Sequence, residues 1–167
     1  MHLFEQQGAR FSDCGQYRYA LWRIWGEGPL ATFVMLNPST ADEATNDPTV
    51  ERCERRARAM GFDGVRVANI FALRSTDPRV LYGHPDPVGP LNDAAIMEAV
   101  RDAGMVICAW GGHGNLHGRG QAVGDLLRQH GLDLHCLAVN ADGTPQHPLY
   151  IGYEQRPKPW KTSTSRT

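Results

Sequence analysis

The stretch Phe33-Val34-Met35-Leu36-Asn37-Pro38-Ser39-Thr40-Ala41-Asp42 decides how the chain is organised. An apolar run over 32–36 fits a short buried strand, and it stops abruptly at Asn37-Pro38-Ser39-Thr40. Pro38 removes a backbone donor and fixes φ, so regular pairing cannot continue through it. Asn37, one residue earlier, is held extended. An amide is thereby fixed at a strand end, with two hydroxyls behind it. Asn, Pro and Ser are also turn formers, and taken alone the stretch reads as a turn. Three further strand ends shift the balance.

Working outward, the N-terminal side starts with a polar segment, 1–16, expected as an edge strand or loop. Tyr17, Tyr19, Leu21, Arg23 and Trp25 share one face under period-two spacing. The turn Gly26-Glu27-Gly28-Pro29 then predicts a hairpin between 17–25 and 30–36. On the C-terminal side, Asp47-Pro48-Thr49 is a helix start, with Asp as N-cap and Pro in the first turn. That helix should run to about Met60, with Gly61 closing it. Its Arg52, Arg55, Arg56 and Arg58 read as a solvated face paired with Glu51 and Glu54, with a phosphate-facing role as the lesser alternative.

Further strands are expected over 64–72, 105–110 and 132–139. Helices are expected from an Asn92 cap to about Ala103 and over 121–130. The Pro- and Gly-rich loop 77–91, between the strand 64–72 and the helix at Asn92, is long enough to suggest a functional role. Strands alternating with helices imply parallel crossovers. The expected fold is a three-layer α/β/α sandwich on a mostly parallel four-stranded sheet plus an N-terminal hairpin, forming one domain over 1–160, with 161–167 a disordered tail.

Composition limits the function classes. The 167 residues are 41% apolar and 21% charged with a net charge of −1, which suits a packed core and gives no global basic footprint for nucleic acid or membrane. No segment is long and apolar enough to span a bilayer, and the N-terminus lacks a signal-peptide pattern. Cys53, Cys108 and Cys136 sit in core patterns without a Cys-x-x-Cys pair, which predicts reduced thiols in a cytoplasmic protein and no metal site. No cofactor is expected, and the sequence leaves the oligomeric state open.

In open parallel sheets, ligands bind beyond the carboxyl ends of the strands. The polar clusters fall there: Asn37-Pro38-Ser39-Thr40, then 69–76 with Asn69 and Phe71, then Trp110-Gly111-Gly112-His113, then 140–147 with His147. Asn69 lies inside its strand run, so its amide needs partners, from the protein core or from a ligand. Gly111-Gly112-His113-Gly114 offers backbone N–H groups for a phosphate but lacks the Lys-Ser/Thr of a P-loop. His113 and His117 have a metal-pair spacing, which the surrounding glycines make unsuited to a helix.

The runs LNPSTAD (36–42), NDPT (46–49), VANIFALRST (67–76), AWGGHG (109–114) and GTPQHPLYI (143–151) together resemble the bacterial and phage family called domain of unknown function 1643. The resemblance covers nearly the whole chain and implies no activity. A more distant resemblance is to the uracil-DNA glycosylase superfamily. Leu36-Asn37-Pro38-Ser39 is similar to its first strand-end motif, and Ala68-Asn69 to the strand end that reads the base. Ala109-Trp110-Gly111 is similar to a Leu-Trp-Gly strand end, and His147-Pro148-Leu149 to a shortened last motif.

This resemblance implies a glycosylase-like fold that binds, and hydrolyses, a nucleobase, nucleoside or modified nucleic acid. Asn37 and His147 would be catalytic: Asn37 would orient water and His147 would stabilise developing charge. Asn69 would read the base edge. Pro38, Ser39, Phe71, Trp110, Gly111 and His113 would complete the substrate site, with Phe71 standing in for the missing stacking ring. The chain departs from the pattern where an Asp would position water, because Asn37 cannot act as a general base. The alternative is a non-catalytic binding module for a nucleotide or nucleic acid, and a third reading is a structural or phage-associated interaction protein.

Overall fold

The computed structural model describes residues 6–161. The elements are β1 (Gln6–Phe11), β2 (Arg18–Ile24), β3 (Ala31–Met35), α1 (Pro48–Ala59), β4 (Gly64–Asn69), α2 (Val80–Gly83), α3 (Asn92–Val100), β5 (Met105–Ala109), α4 (Arg119–Gln129), β6 (Leu134–Cys136) and β7 (Lys158–Pro159). Helical turns within Gly112–Gly118 are broken by a kink at Leu116 and His117, and a 3₁₀ turn covers Pro148–Tyr150. The protein is mixed α/β, with one seven-stranded sheet ordered β1-β2-β4-β3-β5-β6-β7.

The four central strands, β4-β3-β5-β6, are parallel. β3 lies between β4 and β5, the strands that follow it in the chain, so the chain leaves β3 in both directions. That is a topological switch point, where a crevice opens beyond the strand ends. The apolar alternation of the strands builds two cores. Phe33, Met35, Val67 and Ile107 pack with Val50, Cys53 and Ala57 of α1. Val34, Ala68, Val106 and Cys108 pack with Ile96 of α3 and Leu127 of α4 on the other face.

Two expectations are corrected. The segments 17–25 and 30–36 do not pair with each other. β2 pairs antiparallel with β1 and with β4, and β3 lies beyond β4. The Gly-Pro turn therefore carries the chain across β4's position instead of closing a hairpin. Asn92 is not the cap of α3, since Leu91 holds that position. Asn92 is fully buried, and its Nδ2 donates to the carbonyls of Asn69 (2.7 Å) and Ile70 (3.2 Å).

Single-face alternation in β2 also breaks. Across the β1 pairing the register slips, with Arg10 opposite Ala20 but Phe11 opposite Arg18. A bulge of this kind reverses which side chains face which way. Tyr17 and Tyr19 pack on the α3 side, while Leu21 packs on the α1 side. Arg18 is carried to the α1 side with Leu21. The expected tail 161–167 lies outside the described residues from 162 on. No described helix is long and apolar enough to cross a membrane, and the four cysteines are free, three of them buried.

Candidate functional site

The polar loop after β3 is fastened before it reaches α1. The Arg23 guanidinium donates to the Asn46 Oδ1 (3.0 Å) and the Asp42 carbonyl (2.6 Å). Asp47 then caps α1, its Oδ1 accepting from the Val50 N–H (2.9 Å) and its Oδ2 from the Ala41 N–H (3.3 Å). These contacts lay the start of α1 over the ends of β3 and β4.

There a cavity of about 30 Å³ is lined by Arg18, Asn37, Ser39, Asp47, Asn69 and His147, among others. Pro38 lines it too. The sequence-derived residues Asn37, Pro38, Ser39, Asn69 and His147 are thus brought to one point. About two water molecules fit such a volume, since one needs some 10–15 Å³.

Each polar group has a defined role. Asn37 donates its Nδ2 to the carbonyls of Pro38 (3.2 Å), Leu73 (3.3 Å) and Ser75 (3.0 Å). Three acceptors on one side fix the amide orientation, and Oδ1 is left without a donor among the described residues. Asn69 is buried, and its Oδ1 accepts from Arg18 at 3.4 Å. Its Nδ2 has no acceptor among the described residues.

The Nδ1 of His147 accepts from the Leu149 N–H at 3.3 Å. That bond requires the neutral ring with its proton on Nε2, and burial, opposed by Asp47, holds its pKa below the ordinary value. Gly111 supports this loop. Its N–H donates to the Pro145 carbonyl (2.8 Å), it sits at φ +76°, and a Cβ there would lie 3.6 Å from that of His147. Only glycine holds that backbone readily.

Phe71, Trp110 and His113 are placed elsewhere. β4 ends at Asn69, so alternation does not carry on to Phe71, which is buried in the core on the α3 side. Trp110 packs in the same core, edge-on to Trp160 with ring centroids 5.3 Å apart. Gly114 and Gly120 make room for its ring; a Cβ at either would approach it within 3.0 Å. His113 is exposed, and its Nδ1 meets the Tyr82 hydroxyl at 3.0 Å, joining the 77–91 loop to the 112–118 segment. Among the described residues no group of three or more His, Cys, Asp or Glu is placed to hold a metal.

The sequence reading missed Arg18 and recognised Asp47 only as a cap. It also took Arg52 and Arg56 for a solvated face. Arg56 is 1% exposed and donates to the carbonyls of Ile151, Gly152 and Gln155. Arg52 donates to those of Pro148 and Ile151. Both clamp the segment that follows His147. Only the Arg58–Glu54 pair, at 3.2 Å, follows the expected helix pattern.

A family model described as Protein of unknown function (DUF1643) matches residues 18–149, and the chain belongs to that family. The matched span begins at Arg18 and contains every residue that lines the cavity. No curated protein and no solved structure matches the chain.

Proposed function

We propose that this protein has a three-layer α/β/α fold of the uracil-DNA glycosylase type and hydrolyses the N-glycosidic bond of a nucleobase-containing ligand at the carboxyl ends of β3 and β4. The observation that carries this reading is the meeting of Asn37, Asp47, Asn69 and His147 around one water-sized cavity. They come from separate strand ends and a helix start.

In the proposed reaction, Asn37 Oδ1 accepts a hydrogen bond from the attacking water and aims it. The water oxygen bonds to C1′, the C1′–N bond breaks, and its electron pair leaves with the base. The proton of the water passes to the Asp47 carboxylate. Asp47 thereby supplies the acid that is absent at Asn37. The Asn69 amide N–H contacts the base edge, and His147 donates its Nε2–H to the leaving base. The neutral ring suits a donor that stabilises charge without titrating at neutral pH.

Asp47→Asn tests the mechanism, because asparagine caps helices about as well as aspartate. The variant should fold, bind and release no base from a panel of uracil, xanthine and alkylated duplexes and nucleosides on which the wild type acts. Asn69→Ala should lose binding while keeping the fold. Absence of product from every panel member with folded wild type sinks the hydrolytic reading.

A second reading, binding without chemistry, is favoured by the cavity's size and by Asp47, whose two oxygens each already accept a backbone N–H. Thermal shifts with panel ligands and no turnover would select it.

A further inference from the structure

Arg18 is a buried cation with too few partners. It is 2% exposed, NH1 donates to the Ala41 carbonyl at 3.1 Å, and NH2 reaches Asn69 Oδ1 only at 3.4 Å. Its Nε is buried with no partner. Among the described residues no carboxylate lies within 4.0 Å of its nitrogens. Burial lowers its pKa to about 10, opposed first by the field of Asp47, so it remains charged at neutral pH.

A charge taken out of water without a contacting counter-ion is costly, and Arg18 borders the cavity. Two other lining residues carry donors: Asn69, whose Nδ2 has no acceptor among the described residues, and His147, whose Nδ1 accepts from Leu149 and leaves the ring N–H on Nε2. The Asp47 carboxylate is the one opposing charge on the wall, and its oxygens accept the Val50 and Ala41 N–H groups.

We propose that the cavity is an oxyanion site: it takes a negatively charged, planar, carboxylate-sized oxygen group of the ligand, held by Arg18, Asn69 and His147. The volume admits about two oxygens, so a tetrahedral phosphate would leave its others outside. Two sources share this chemistry, a free carboxylate and the oxo edge of a nucleobase bearing charge. The inference rests on the site proposed above only in taking this cavity as the place where ligand binds.

The probe is sodium formate, titrated into the full chain against sodium chloride at matched ionic strength. Above the dissociation constant, Tm should rise with the logarithm of formate concentration, by at least about 5 °C at a hundredfold excess. Inorganic phosphate should give a smaller rise than formate at the same concentration. Arg18→Met keeps an unbranched apolar stem and removes the charge, and it should fold and lose the formate response. Asn69→Asp places a carboxylate beside Arg18; it should raise Tm without formate and abolish the response.

A wild-type Tm no higher in formate than in matched chloride overturns the proposal, and so does an undiminished formate effect in Arg18→Met. Should both variants fail to fold, a crystal structure of the wild type with formate decides it, since an anion found away from Arg18 overturns it. Displacement of formate by uracil or xanthine assigns the oxygen to a base; formate binding without displacement assigns it to a free carboxylate. Formate binding with no base release would keep this inference and remove the hydrolytic reading. Base release unchanged in Arg18→Met would do the reverse.

Discussion

Two buried arginines, Arg18 and Arg56, are bound very differently. Arg56, on α1, gives its two terminal nitrogens to three carbonyls of the 151–155 segment at 2.9–3.2 Å and lies 5.2 Å from the centre of the Tyr153 ring. Arg18, on β2, has one ordinary hydrogen bond, one long one and a cavity. Each has an unpartnered Nε. A fan of short carbonyl contacts is how a guanidinium fastens a loop. A guanidinium held loosely beside open space keeps its donors for something else. One region is a clamp and the other a receptor, and burial alone does not tell them apart.

Substitution of the clamp should have the largest effect. Arg56→Ala leaves the Gln155 carbonyl without a donor among the described residues, takes one of two donors from the Ile151 and Gly152 carbonyls and frees the chain that follows His147, and it should cost about 3 kcal/mol in urea unfolding. A loss under about 1 kcal/mol would break the contrast, because Arg56 would then be no better anchored than Arg18.

Asn37→Asp comes next. The three carbonyls that accept from the Asn37 amide would face carboxylate oxygens. Stability should fall by about 2 kcal/mol. A variant as stable as the wild type would show that the amide's orientation is not fixed by those carbonyls.

Arg18→Met should change stability by no more than about 1 kcal/mol, and upward if at all, since a well-packed apolar residue often replaces a buried charge without loss. A drop as large as that of Arg56→Ala would make Arg18 a second clamp.

The smallest effect is a pH slope. His147 has a folded pKa lowered by burial, so the unfolded chain takes up the proton first as pH falls. The stability present above the unfolded value of about 6.5 is lost as pH drops through the folded pKa. Tm measured from pH 7.5 to 5 should decline, and His147→Asn should flatten part of that decline. An unchanged slope would place His147 outside the buried wall of the site.

The contrast between the arginines is also where legibility in the sequence ends. Asn37, Ser39, Asn69 and His147 could be picked out because each is polar where an apolar run stops, and strand ends of a parallel sheet share an edge. Asp47 was readable as a cap because Asp-Pro before a helix is a local signal. Its place in the cavity depends on where Arg23 ties the preceding loop. Phe71 looks like a stacking ring and Trp110 like a substrate-site residue by position, but the end of β4 and the alternation of β5 turn them into the core.

By itself, the sequence determined the alternation of strands and helices, the Asp47 cap and the strand-end positions of the polar residues, because each follows from local periodicity and backbone preference. Tertiary structure alone decided that β2 pairs with β4, that Arg52 and Arg56 fasten the chain after His147, and that Arg18 enters the cavity. The first two are pairings between segments distant in sequence, which no local pattern encodes. The third follows from a one-residue slip in the β1–β2 register, and a slip of one residue exchanges the two faces of a strand.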